Sequence, residues 1–135
     1  MEGFPSYEII REWLDEIEDE VPEAFYKELS GGVLLLPEEM KHRESDDSRP
    51  LYILGQYKRN IMGRTIVIYY GSFKKLYSHR KEQAVKKQLK DTLFHEFTHH
   101  LESLAGERGL EKKDVEKMKR YKERRYNVKG VEQSE

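Results

Sequence analysis

The segment from His95 to His99 reads His-Glu-Phe-Thr-His, and this motif constrains the fold more than any other part of the chain. Residues four apart lie on one face of an α-helix, one turn apart. Two imidazoles at that spacing can each direct a ring nitrogen at one metal ion, at the roughly 2.0–2.1 Å that zinc prefers. Glu96 is rotated by about 100° from His95. The motif therefore predicts a helix with two metal-ligating histidines and an acid beside the metal.

The sequence around the motif, from Arg80 to Leu104, has the apolar periodicity of one long helix. At about 100° per residue, His95 and His99 fall on one side of this helix and the large apolar side chains fall on the other. The apolar set comprises Leu93, Phe97, Leu101 and Leu104. The two histidines are thus separate from the apolar stripe, which argues against the alternative that they are ordinary core residues.

The composition indicates one small domain with a highly charged surface. Of the 135 residues, 36% are hydrophobic and 38% are charged, so only one modest core is available. Cysteine is absent, which excludes disulfides and thiolate metal sites and is compatible with a reducing cytoplasm. The first residues lack a basic region and an apolar run, so we expect no signal peptide and a cytoplasmic location. No apolar stretch approaches about 18 residues, so we expect no membrane-spanning helix.

Charge is distributed unevenly along the chain, although the formal net charge is only −1. Residues 1–30 contain ten acidic and two basic residues, whereas residues 111–130 contain nine basic and four acidic residues. Such blocks are usually solvated helix faces. The near-zero net charge argues against a nucleic acid partner, and the basic block is the one feature that favours an RNA or an acidic partner.

Local patterns predict helices and strands in the order ααβββαα. The predicted elements are helices at 7–19 and after Pro22, strands at Gly32–Leu36, Leu51–Tyr57 and Arg64–Tyr70, a helical turn at Phe73–Tyr77, the motif helix, and a basic helix at Lys112–Arg125. This order predicts an α+β fold, in which a small mixed or antiparallel sheet packs against helices. We expect one domain over residues 1–126 and a flexible tail over residues 127–135.

A catalytic zinc site needs a third protein ligand, and the sequence leaves its identity open. Glu102 lies on the histidine side of the helix, but we expect it to be too far along the axis, in a supporting role. Asp114 and Glu111, in that order, are the candidates, because they follow a glycine turn at which the chain can fold back over the metal. The alternative role for both acids is to stabilise the start of the last helix.

The chain resembles a known family. The order of helix, Val21–Phe25, apolar strand, hairpin, Ile68–Gly71 and then Leu93–His100 is similar to that of the minimal zincin-like metallopeptidases of bacteria. The similarity covers most of residues 7–125, and the doubled histidine His99-His100 is a mark of this group. The resemblance implies a peptidase-like zincin fold with a long active-site helix.

The sequence departs from the family pattern directly after the motif. The family pattern runs H-E-x-x-H-H-x-G-x-x-D, with the aspartate as the suspected third ligand. Here the glycine position holds Glu102 and the aspartate position holds Ala105. The stretch from Gly109 to Asp114 resembles the family's Gly-Leu-x-Asp turn after an insertion, which is why the resemblance favours Asp114.

These residues predict a zinc-dependent peptidase that binds one Zn²⁺ ion and acts on a peptide or protein substrate. Zinc would lower the pKa of its bound water, and Glu96 would act as general base and return the proton to the leaving amine. We expect the substrate to pair with an exposed sheet edge, and we choose Arg64–Tyr70 because it directly precedes the motif helix. The additional oxyanion donor is left open among Tyr69, Tyr70, Tyr77, His79 and Tyr121.

Two other functions compete with peptide hydrolysis. A metal-binding regulatory or scaffold protein on a zincin fold would keep the histidines without turnover, and the altered residues after His99 favour it. A metal-dependent ribonuclease would use the basic last helix, but His100 points about 140° away from His95 and is badly placed as a third imidazole ligand.

Overall fold

The computed structural model describes residues 3–108 of the chain. Its helices and strands are α1 (Tyr7–Glu20), a short 3₁₀ helix (Glu23–Tyr26), β1 (Gly32–Leu36), β2 (Gly55–Asn60), β3 (Gly63–Tyr69), α2 (Tyr70–Tyr77) and α3 (Glu82–Arg108). This order confirms the α+β class. The predicted basic helix, the boundary at residue 126 and the tail lie outside the described residues and stay predictions.

Helix α1 follows from local signals in the sequence. Ser6 adopts an extended backbone and its side chain accepts a hydrogen bond from the amide of Ile9, which satisfies one of the unpaired donors at the helix start. The buried side chains repeat at three- and four-residue steps, so one apolar face packs against the rest of the protein. These side chains are Ile10, Trp13, Leu14 and Ile17.

The sheet has three strands in the order β1-β3-β2. Strand β3 pairs parallel to β1 and antiparallel to β2, which makes the sheet mixed. Our choice of Arg64–Tyr70 as an exposed edge is therefore wrong, because β3 (Gly63–Tyr69) is the central strand. Its continuous apolar run, from Ile66 to Tyr69, is buried on both faces, as is typical of a strand with neighbours on either side.

The second strand begins later than predicted. The predicted span Leu51–Tyr57 starts in a segment that makes only an isolated bridge from Tyr52 to Lys41, and β2 runs from Gly55 to Asn60. Its polar second half pairs antiparallel with the start of β3, and the two strands form a hairpin. The apolar, aromatic residues of the earlier segment serve the core instead, since Ile53 and Leu54 are buried.

The core lies between the helices and one face of the sheet. Ile66 and Ile68 of β3 face this core, whereas Val67 and Tyr69 face a smaller cluster with Ile53 on the other side. Adjacent strand residues point to opposite faces, so β3 supplies both layers. The core side of α3 comprises Leu89, Leu93, Phe97 and Leu101. The predicted apolar stripe of the motif helix is thus buried.

Helix α3 runs alongside edge strand β2. A β-carbon on Gly55 would come within 2.8 Å of Cγ2 of Thr92, so the strand and the helix approach closely there because Gly55 has no side chain. Further along, Tyr57 contacts His100. This docking holds the histidine motif against an edge of the sheet. Within residues 3–108, none of the α-helices combines the length and the hydropathy of a membrane span.

Candidate metal centre

The two motif histidines converge on one point. Both lie in α3, and the Nε2 atom of His95 is 3.1 Å from the Nε2 atom of His99. Their ring centroids are 4.7 Å apart and the ring planes are perpendicular. Both side chains are half-buried. The helix therefore directs two ring nitrogens at a common position that is accessible from solvent.

This geometry fits a zinc ion. Two nitrogens at about 2.0–2.1 Å from one ion, at a tetrahedral angle, would be roughly 3.3 Å apart. The observed separation of the two Nε2 atoms, 3.1 Å, is close to that value. Imidazole nitrogens also suit nickel, copper and iron, so the spacing of the pair is compatible with several divalent transition metals.

The third ligand is not provided by the described part of the chain. Within residues 3–108, no group of three His, Cys, Asp or Glu side chains could hold a metal ion. Glu102 is exposed and lies one turn beyond His99. Asp114 and Glu111, the two predicted ligands, lie outside the described residues. Their assignment stays a prediction.

Glu96 lies next to His95 on α3 and is fully buried. A second carboxylate on the same helix, Asp91, is 2% exposed and lies one turn before His95. Buried carboxylates are rare, because removing a charge from water is costly. The helix thus places an acid beside the paired histidines, in surroundings of low dielectric.

A cleft of about 540 Å³ opens beside His99. It lies between α3 and the edge strand β2, and its other lining residues are Tyr57, Arg59, Glu102 and Ser103. Tyr57 and Arg59 were not predicted as site residues, since nothing in the local pattern shows which strand lies next to the helix. Their alternation along β2 is the one available signal, because residues two apart point to the same face.

A hydrogen-bonded network fixes this side of the cleft. His100 is fully buried, and its Nε2 donates to the carbonyl oxygen of Lys27 at 2.8 Å. Burial lowers the pKa of His100, and the nearby charge of Arg64 lowers it further. The neutral ring therefore accepts at Nδ1 from the Tyr57 hydroxyl, 2.9 Å away. The same hydroxyl accepts from Nη1 of Arg64 at 2.9 Å.

Two guanidinium groups meet at the far end of the cleft. Nη1 of Arg59 donates to the hydroxyl of Ser103 at 2.8 Å, and Nη1 of Arg64 donates to the same oxygen at 2.7 Å. Arg64 is only 7% exposed, whereas Arg59 is exposed. The strand side of the cleft is therefore positively charged, one turn of α3 beyond His99.

Most of the tyrosines proposed as oxyanion donors are engaged elsewhere. The Tyr69 hydroxyl donates to Oε1 of Gln56 at 2.5 Å, and the Tyr70 hydroxyl donates to the carbonyl oxygen of Pro5 at 2.7 Å. Tyr77 is buried against Phe73. None of these three lines the cleft beside His99. His79 lines a different pocket, and Tyr121 lies outside the described residues.

Comparisons with known proteins show which family this chain belongs to. A solved structure of a conserved hypothetical protein from T. thermophilus is similar over 75% of this chain and 98% of its own, with 32% sequence identity and a TM-score of 0.66. No curated protein sequence matches the chain. The model of the family described as zincin-like metallopeptidase matches residues 34–121, which is more than half of the chain and includes the histidine motif. The chain belongs to the zincin-like metallopeptidase family.

Proposed function

We propose that this protein is a zinc-dependent peptidase in which His95 and His99 hold the ion and Glu96 is the general base. The observation that supports this most is the 3.1 Å separation of the two Nε2 atoms. Asp114, with Glu111 as the alternative, would complete the ligand set in this proposal. Family membership supports the activity, since the family is one of metallopeptidases.

Each residue has a distinct role in the proposed reaction. When bound, zinc lowers the pKa of water and polarises the scissile carbonyl. The carboxylate of Glu96 accepts the proton of the attacking water and then returns it to the leaving amine. Burial of Glu96 supports this role, because electrostatic interactions are stronger where water is excluded.

The substrate is proposed to bind as an extended peptide along β2. This strand pairs with β3 on one side only, so its other side presents main-chain groups to a further strand. It also lies against α3 next to the cleft, with Tyr57 and Arg59 facing the helix. Edge strand β2 thus replaces the central β3 in the proposed binding mode.

Substitution of the general base tests this function. In zinc-loaded Glu96→Gln protein, we expect the metal content of the wild type and a turnover of an unfolded protein substrate that is lower by about 10²–10⁴-fold. Glu82→Gln, in the first turn of the same helix, is the matched control and should leave both quantities unchanged. Equal turnover by wild-type and Glu96→Gln protein would refute the proposed role.

A non-hydrolytic metal-binding role is the second candidate. The observation that favours it is the change in the family pattern after His99, where Glu102 and Ala105 replace glycine and aspartate. A protein of this kind would bind zinc through His95 and His99 and would show no hydrolysis of any peptide. The Glu96→Gln substitution would then leave its partner binding unaffected.

A further inference from the structure

We propose that the cleft beside His99 recognises a carboxylate of the substrate, bound by Arg59 and located two or three residues from the scissile bond. This inference rests on the proposed peptidase function and names the chemistry of its substrate. The carboxylate could belong to an Asp or Glu side chain or to the C-terminus of a peptide, and the experiment below distinguishes these two sources.

The first argument is the convergence of positive charge. The Nη1 atoms of Arg59 and Arg64 both donate to the hydroxyl oxygen of Ser103, so they lie no more than about 5.5 Å apart. Both guanidinium groups remain charged at every physiological pH. Arg64 is held behind the cleft by its second hydrogen bond, to Tyr57, whereas Arg59 lies at the exposed mouth. An anion at this mouth would be attracted by both groups.

The second argument is the geometry of the guanidinium group. Its planar fork of N–H donors matches the two oxygens of a carboxylate. Ser103 engages Nη1 of Arg59, and this contact orients the group at the wall of the cleft. A fork that is held in place loses less side-chain freedom on binding than a mobile one would. Arg59 is therefore suited to selecting a carboxylate.

The third argument is distance along the helix. Ser103 follows the midpoint of His95 and His99 by six residues, which corresponds to roughly 9 Å along the axis of α3. An extended peptide advances by about 3.3–3.6 Å per residue. A substrate that lies along β2, with its scissile carbonyl at the histidines, would thus place its second or third residue near Arg59.

Glu102 lines the same cleft from the helix side and has the opposite effect. Its carboxylate repels a substrate carboxylate and lowers the preference that Arg59 creates. Neutral substitutions of Arg59 and of Glu102 should therefore change the preference for a substrate carboxylate in opposite directions. Lys58 supplies the control, because it is exposed, adjacent to Arg59 in β2, and on the other face of the strand.

The experiment measures kcat/KM of the zinc-loaded protein for three internally quenched peptides of the same core sequence. One has Glu at the second and third positions on either side of the cleaved bond, one has Gln there, and both end in an amide. A third has Gln and a free C-terminus two residues after the bond. We expect the Glu peptide, the free-terminus peptide, or both to be cleaved at least about tenfold faster than the amidated Gln peptide.

The variants test the assignment. Arg59→Gln should remove most of this preference, so that the kcat/KM values for the acidic peptides approach that for the amidated Gln peptide in the same variant. Glu102→Gln should increase the preference, and Lys58→Gln should leave it as in the wild type. A faster Glu peptide identifies a side-chain carboxylate, and a faster free-terminus peptide identifies a C-terminal one. Equal cleavage of all three peptides, or an equal loss for all three in Arg59→Gln, would overturn the inference and leave the peptidase function intact.

Binding gives a second readout that does not depend on turnover. The Kd of each fluorescently labelled peptide is measured with zinc-loaded Glu96→Gln protein, with and without Arg59→Gln. A preference of about tenfold for the acidic peptides that disappears in the double variant supports carboxylate recognition, even if the wild type hydrolyses nothing and the peptidase function fails. Equal Kd values for all three peptides would contradict it.

Discussion

The hydroxyl of Tyr57 lies 2.9 Å from Nδ1 of His100, and this contact joins edge strand β2 to the helix that bears the paired histidines His95 and His99. His100 directly follows His99 in the sequence. The contact between Tyr57 and His100 therefore fixes α3 against β2 at the residue next to His99, a predicted zinc ligand. A change in this contact should alter both stability and the shape of the cleft.

Substitution of Tyr57 by Phe should lower the free energy of unfolding by about 1–3 kcal/mol, because the buried Nδ1 of His100 loses its donor. Arg64 loses an acceptor in the same variant. Chemical denaturation of the two proteins measures the difference. Tyr7→Phe, which removes a hydroxyl bond to the Leu35 carbonyl in another part of the protein, is the comparison. Tyr7→Phe should leave the zinc affinity unchanged, whereas Tyr57→Phe should reduce the zinc affinity.

The stability of the metal-free protein should decrease as the pH falls below about 6.5. Burial and Arg64 lower the pKa of His100 in the folded protein, so the unfolded chain binds a proton at a higher pH than the folded one. This contribution to the free energy of unfolding is fully present above the pKa that His100 has in the unfolded chain. It is lost as the pH falls through the lower pKa that His100 has in the folded protein. Denaturation curves from about pH 8 to 5, recorded with a chelator, measure the slope.

His100→Asn is the test of this assignment. The variant cannot titrate in that range, so its free energy of unfolding should vary less with pH than that of the wild type. His79→Asn removes an exposed histidine and is the comparison variant. An identical slope in the His100→Asn protein would show that another group causes the pH dependence.

Substitution of Gly55 by Ala should destabilise the protein by about 1–3 kcal/mol. The added β-carbon would lie 2.8 Å from Cγ2 of Thr92 and 3.2 Å from Cδ1 of Ile68, so the Thr92 side chain or the helix that carries it must shift. Gly106→Ala, at an open position on α3, has nothing within 4 Å and should be neutral or stabilising by roughly 0.4–1 kcal/mol.

A second substitution tests whether the contact between the added β-carbon at position 55 and Thr92 causes the loss of stability. Thr92→Ser removes Cγ2 and keeps the hydroxyl that accepts a hydrogen bond from Gln88. The Gly55→Ala/Thr92→Ser protein should therefore recover part of the stability that Gly55→Ala loses. Thermal or chemical denaturation of the four proteins gives the interaction energy. If the stability changes of Gly55→Ala and Thr92→Ser simply add in the double variant, the contact between residue 55 and Thr92 does not cause the destabilisation.

Local patterns in the sequence predicted the features that depend on neighbouring residues. The apolar stripe of the motif helix is buried, and His100 points into the protein, away from His95. Periodicity determines which face of a helix is buried, so both features follow from the spacing of residues along α3. The α+β class followed from the order of these elements.

The arrangement of the strands could not be read in the same way. The choice of Arg64–Tyr70 as an edge failed because sheet order depends on contacts between distant segments. β1 and β2 both pair with β3, and the link from β1 to β2 has no pattern that reveals this. For the same reason Tyr57 and Arg59, more than thirty-five residues before His99, were missed as cleft residues. Asp114 and Glu111, the predicted third ligands, lie outside the described residues.

Zinc binding by His95 and His99 is the most direct test of the account. Titration of metal-free protein with zinc, followed by calorimetry and elemental analysis, should give one ion per chain for the wild type. His95→Ala and His99→Ala should each weaken binding by at least about 100-fold, because only two protein ligands at most would remain. His42→Ala, in an exposed loop, should bind as the wild type does. Unchanged zinc affinity in both motif variants would contradict the account.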